Sequence, residues 1–133
     1  MTRKAVKSNP IRSVLVVEDE PLVRMYVTAI LEESGFEVLE AESGEEALAI
    51  LSTRNRVGAV VSDVDMPGNV DGFELARRLH DDCPRLGVIL VSGVADPAGE
   101  NLPTGVRFLS KPVWASTLLR LVRQVTDPPE ASV

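Results

Sequence analysis

The most constraining feature of this 133-residue chain is a set of short, nearly continuous apolar runs rich in β-branched residues: Val14 to Val17, Ala59 to Val61, Val88 to Val91 and Val106 to Leu109, the last interrupted by Arg107, with a shorter one at Val38-Leu39. None of them alternates with polar residues. A strand that is apolar at every position is buried on both faces, which is the habit of parallel sheets covered by helices. Helix-period segments separate the runs. Leu22, Met25, Tyr26, Ala29 and Ile30 follow the i, i+3, i+4, i+7, i+8 spacing of a helix with one buried face, and Ser34-Gly35 ends it. Ser43 stands three residues before Glu46, a capping-box spacing, ahead of Ala47, Leu48 and Leu51. Asp71 caps a helix that places Gly72, Leu75, Ala76 and Leu79 on one side and ends before Pro84. The last helix carries Trp114, Leu118, Leu121, Val122 and Val125, and Asp127-Pro128-Pro129 stops it. Right-handed crossovers make such an α/β alternation a doubly wound five-stranded parallel sheet.

In such sheets ligands bind beyond the carboxyl ends of the strands. Here those ends carry Glu18-Asp19, Asp63, Ser92 and Lys111. A carboxylate pair, a single carboxylate, a hydroxyl and an ammonium would converge there. That is the equipment for moving a phosphoryl group onto an aspartate with the help of a divalent metal.

Composition narrows the alternatives. The net charge is −6, and residues 1–12 hold four basic side chains and no acidic one, so the remainder is more acidic still. A body of that charge is poorly suited to direct nucleic-acid binding, where phosphate neutralisation dominates affinity. No stretch reaches the roughly 18 consecutive apolar residues of a membrane span. The basic start has no apolar region behind it, which is unlike a signal peptide and makes a cytoplasmic location the expectation. Cys83 has no second cysteine to pair with and only His80 as a further soft ligand, so neither a disulfide nor a zinc site is expected. The expected organisation is a basic tail over 1–12, one domain over 13–126 and a disordered tail over 127–133.

Val16-Val17-Glu18-Asp19-Glu20, Asp63-Val64-Asp65-Met66-Pro67, Val91-Ser92-Gly93 and Leu109-Ser110-Lys111-Pro112, in this order, resemble the receiver domain of two-component response regulators. The resemblance implies a CheY-like, flavodoxin-like sheet in the order 2-1-3-4-5 with Asp63 as phosphoacceptor. It implies Mg²⁺, or Mn²⁺, held by Glu18, Asp19, Asp63 and the backbone carbonyl of Asp65, with Glu18 standing where an aspartate is more usual. Lys111 would neutralise the phosphoryl oxygens. The Ser92 hydroxyl would bind the phosphorylated form and pass the change to Phe108, the matching aromatic of the switch. A phosphoacceptor switch protein rather than a turnover enzyme is implied, with a sensor histidine kinase or phosphotransfer protein as donor and a protein as downstream target. A stand-alone regulator and the receiver of a hybrid kinase both fit.

Two departures from the family pattern stand out. Gly68-Asn69-Val70 makes the loop after Met66-Pro67 one residue longer than usual. The stretch from Ala95 to Gly105, with two prolines and two glycines, predicts a shortened or irregular fourth helix. Among rival readings, Asp63-Val64-Asp65 also resembles the nucleophile motif of haloacid dehalogenase-type phosphohydrolases. That family places its nucleophile on the first strand, whereas here an acidic pair precedes Asp63 by a whole βαβα stretch. A doubly wound interaction domain without phosphoryl chemistry is the third reading.

Overall fold

The computed structural model describes residues 13–54, 56–93 and 99–126. The chain alternates β1 (Ser13–Val17), α1 (Pro21–Glu33), β2 (Glu37–Ala41), α2 (Gly44–Thr53), β3 (Val57–Asp63), α3 (Gly72–Asp82), β4 (Gly87–Ser92), β5 (Arg107–Ser110) and α4 (Ala115–Thr126). All strand pairs are parallel, in the order β2-β1-β3-β4-β5, as the sequence predicts. Strand bounds differ from the sequence reading by one or two residues. Asp63 and Ser92 close their strands instead of following them, and β5 begins at Arg107.

Each strand distributes alternate residues to two apolar layers. Val14, Val16, Ala59, Val61, Ile89, Val91 and Leu109 pack against Val27 and Leu31 of α1 and Leu118, Leu121 and Val122 of α4. On the opposite face Leu15, Val17, Val60, Val88 and Leu90 meet Ala47 of α2 and Leu75, Ala76 and Leu79 of α3. Unbroken apolar runs are therefore what the inner strands β1, β3 and β4 require, because both their faces are covered, whereas the edge strands β2 and β5 carry exposed polar residues.

The helix ends follow their local chemistry. Ser43 Oγ accepts from the Glu46 N–H at 3.0 Å, and the Glu46 carboxylate reaches back to the N–H of Glu42 at 2.7 Å, one residue earlier than in the standard reciprocal box. Asp71 Oδ1 accepts from the Glu74 N–H at 2.9 Å. At the end of α1, Gly35 N donates to Glu32 O and Phe36 N to Leu31 O, with Gly35 at φ +96°. This is a Schellman stop, completed by burial of Phe36 and Leu31 in one cluster.

Two sequence expectations are corrected. The buried face of α1 is not the one bearing Leu22, Met25, Tyr26 and Ala29, all of which are exposed; Val27, Thr28 and Leu31 face the core, with Ile30 partly buried against it. The helix is apolar on two sides, so two stripes satisfy the spacing and only tertiary packing selects one. Trp114, expected within the last helix on the side of Leu118 and packed in the core or at an interface, precedes α4 and is 65% exposed. Between β4 and β5, residues 99–106 contain no α-helix. The rest of the expected irregular helix, 95–98, and both tails, 1–12 and 127–133, lie outside the described residues.

The faces of α1 separate experimentally. Leu31→Ala should cost about 2–5 kcal/mol in urea unfolding, whereas Leu22→Ala should stay within about 0.5 kcal/mol of wild type.

Candidate functional site

Strand register brings the polar residues to one edge. Val17 pairs with Ser62, Asp63 with Val91, and Ser92 with Ser110. Glu18, Asp63, Ser92 and Lys111 thus end four neighbouring strands in sequence. Backbone hydrogen bonds carry the pairing past the strands and hold the first residues of each loop: Glu18 N to Ala41 O at 3.0 Å, Val64 N to Val91 O at 2.9 Å and Lys111 N to Ser92 O at 2.9 Å. The Lys111–Pro112 peptide bond is cis.

Carboxylate oxygens of Glu18, Asp19 and Asp63 all lie within 4.8 Å of one another. Lys111 Nζ is 3.3 Å from Asp63 Oδ1 and 3.9 Å from Glu18 Oε1. Asp63 and Glu18 are buried, and Lys111 is partly open to solvent. Two buried carboxylates share one ammonium, with the exposed Asp19 beside them, which leaves an excess of negative charge at the site. Burial accordingly pushes the Glu18 carboxyl up from 4.5 to about 7, with the Asp63 and Asp19 charges adding to the rise against the Glu20 N–H and Lys111. Asp63 is also raised, chiefly by burial, with the Lys111 charge and hydrogen bond opposing. For Lys111, burial disfavours the charge, but Asp63 and Glu18 together prevail and hold its pKa above the usual lysine value.

This donor set suits a hard divalent cation. Oxygen ligands only, three of them anionic and clustered, match what Mg²⁺ or Mn²⁺ takes from a protein while keeping waters on its remaining positions. One Glu18 oxygen, Oε2, already accepts the Glu20 N–H at 3.1 Å, which leaves Oε1 on the side of Lys111.

The other residues singled out by sequence surround this centre. Asp65 is exposed in the loop two residues beyond Asp63. Ser92 is buried at the end of β4. Phe108 pairs with Leu90 in register and is half-buried against the α2/α3-side core, the face to which Ser92 also belongs by alternation. His80 is exposed on α3, and Cys83 is a partly buried helix-end residue. The long loop after Met66 is docked on α2: Asn69 N donates to Glu45 Oε2 at 2.9 Å, Gly68 takes φ +96°, and Val70 is buried.

Three contacts escaped the sequence reading. Arg24 braces the turn after β1, Tyr26 Oη donates to Val113 O at 2.9 Å, and Glu45 holds the long loop. A lone arginine between Val23 and Met25 is the one sequence signal that could have pointed to the first.

A buried aspartate stands at the carboxyl edge of a doubly wound sheet, ion-paired to a lysine and flanked by two further carboxylates. Residues 14–123 match the family model described as response regulator receiver domain, and the chain belongs to that family. It is 40% identical over 128 residues to the sensor kinase CckA of Brucella abortus, covering 93% of this chain and 13% of that kinase's length. The receiver domain of the hybrid histidine kinase CckA superimposes with a TM-score of 0.71 at 36% identity, covering 86% of this chain and 98% of that one. The response regulator TrrA of Thermotoga maritima, in complex with Mg²⁺ and BeF, gives 0.78 at 28% identity, covering 86% and 98%. A phosphoacceptor role follows from membership of the family.

The raised carboxylates make a pH prediction for the cation-free protein. The folded state holds the Glu18 proton up to about pH 7, the unfolded chain only to 4.5. The stability Glu18 contributes is therefore fully present below pH 4.5 and lost as pH rises through 7. In EDTA, the difference in urea stability between Glu18→Gln and wild type should grow in favour of the variant from pH 5 to pH 8. A pH-independent difference would contradict this electrostatic account.

Proposed function

We propose that Asp63 accepts a phosphoryl group from a phosphohistidine on a sensor histidine kinase or phosphotransfer protein, and that the charged aspartate then alters a protein-binding surface. The observation that carries this reading is the buried Asp63 carboxylate, 3.3 Å from Lys111 Nζ and clustered with Glu18 and Asp19. Glu18, Asp19, Asp63 and the Asp65 carbonyl are the residues that would hold Mg²⁺ or Mn²⁺. Bound there, the cation supplies the positive charge that offsets the phosphoryl oxygens.

The residues of the chain do the rest by position and charge. An Asp63 carboxylate oxygen attacks phosphorus as the phosphorus–nitrogen bond to the histidine breaks, its electron pair leaving with the imidazole. Transfer of this kind depends on alignment and charge neutralisation more than on acid–base work. Lys111 first holds the Asp63 carboxylate in place and then faces the new phosphoryl oxygens as a point charge. The Ser92 hydroxyl donates to one of those oxygens. Its displacement is passed to Phe108, which lies on the same face of the sheet, and so to the surface between β4 and β5.

A donor protein has an apolar surface to cover beside the site. Leu22, Met25 and Tyr26 are 77%, 62% and 49% exposed on α1, and Trp114 stands near them, since the Tyr26 hydroxyl binds the carbonyl of its neighbour Val113. Exposed apolar patches of this kind mark protein contacts.

Intact mass after incubation with Mg²⁺ and acetyl phosphate tests the assignment. Wild type should gain one phosphoryl group and Asp63→Asn none; full labelling of the variant would overturn the site. Lys111→Ala should still label, more slowly by at least tenfold, and should not produce the change in Trp114 fluorescence that accompanies labelling of wild type. Wild-type behaviour in that variant would remove Lys111 from the mechanism.

A further inference from the structure

Arg24 is a charged side chain in the first turns of α1 that points back at the acidic turn instead of outward to solvent. Its side chain is only 15% exposed. Nη1 donates to the carbonyl oxygen of Glu18 at 2.7 Å, Nε donates to Glu40 Oε1 at 3.0 Å, and Nη2 stands 4.0 Å from Glu42 Oε2. Glu40 lies on β2, the edge strand beside β1, and Glu42 directly follows that strand. One guanidinium thus joins the helix, the turn after β1 and the end of β2.

We propose that Arg24 is a positioning residue for the cation site, holding Glu18 and Asp19 in the arrangement that faces Asp63 and so setting divalent-cation affinity. Glu18 is fixed at three atoms. Its N–H is bound by Ala41 O, its carbonyl by Arg24, and its Oε2 by the N–H of Glu20. The first is a backbone–backbone contact, and the third joins the carboxylate of Glu18 itself to a backbone N–H. The Arg24 contact alone of the three depends on the side chain of another residue. It is a charge-assisted hydrogen bond in a partly buried place, and the rigid fork of the guanidinium lets it serve Glu18 and Glu40 together. A lysine offers a point charge and cannot match two acceptors in fixed directions. Side chains that orient metal ligands from behind typically govern affinity by roughly 10- to 100-fold.

The assignment rests on the proposed cation site, and it makes a prediction whose sign is opposite to that of simple electrostatics. Arg24 is a positive charge near an anionic site. If it acted only through space, its removal would lessen repulsion of a divalent cation and tighten binding. A positioning role requires removal to weaken binding, because the turn then loses its anchor.

The test is titration with Mg²⁺, and separately Mn²⁺, of wild type, Arg24→Ala, Arg24→Lys and Glu40→Gln by isothermal calorimetry, with far-UV circular dichroism to establish folding. Arg24→Ala should bind roughly tenfold more weakly. Arg24→Lys should fall between it and wild type. Glu40→Gln, which leaves the Glu18 contact in place, should lose the least. The deficit of Arg24→Ala in acetyl-phosphate labelling should narrow as Mg²⁺ is raised. Unchanged or tighter binding by Arg24→Ala would overturn the proposal. Should Arg24→Ala not fold, wild-type affinity in the folded Arg24→Lys variant would overturn it equally. Absence of binding by wild type itself would bring down the cation site, and this assignment with it, which separates that failure from a failure of Arg24 alone.

Discussion

Crowding of negative charge at the carboxyl edge of the sheet is the constraint around which the rest of the molecule is arranged. Three carboxylates each place an oxygen within 4.8 Å of the others, and two of them, Glu18 and Asp63, face a single ammonium. Unit charges about 4 Å apart interact by about 4 kcal/mol at the effective dielectric near a protein surface. An arrangement of that kind persists only if the surrounding fold holds it and if countercharge is at hand. Lys111 supplies part of that charge. Burial and the remaining shortfall appear together as the elevated proton affinity of Glu18 and Asp63, in a cluster that could hold a metal ion.

The holding is done by backbone. Parallel register ends four strands at nearly one level, and the hydrogen bonds at Glu18, Val64 and Lys111 continue the ladder into the loops. The functional side chains therefore sit one residue from a rigid sheet and not at the tips of long loops, which keeps their mutual geometry within narrow limits. Both apolar layers contribute indirectly. Val61 and Val91 beneath one face and Val60 and Leu90 beneath the other fix the strands whose last residues are Asp63 and Ser92.

Much of this was legible in the sequence because the physics involved is local. Unbroken apolar runs specify strands covered on both faces, Ser43 and Asp71 announce helix starts, and the residue that follows or closes each strand is automatically placed at the site edge. What was not legible depends on choices between equivalent local patterns. In α1, Leu22, Met25 and Tyr26 satisfy helical periodicity as well as Val27 and Leu31 do, and only the position of the sheet decides which set is covered. Trp114 lies just outside its helix, so the helical stripe of Leu118, Leu121 and Val122 does not decide which way it faces. Arg24 and Glu45 act on residues 6 and 24 positions away through backbone atoms, and backbone donors and acceptors leave no trace in residue type.

One close approach has a mechanical consequence. A Cβ at Gly72 would lie 2.5 Å from the carbonyl oxygen of Asp63 and 2.7 Å from Cα of Val64, and Gly72 N donates to Val64 O at 2.9 Å. The first turn of α3 therefore rests directly on the backbone of the acceptor strand, with no side chain between them to act as a cushion. On this flank the site is stiff, like a beam seated on its support. The backbone at Asp63 has no slack toward α3, and the side chains of the site that stand across the sheet from this contact are Ser92 and Lys111.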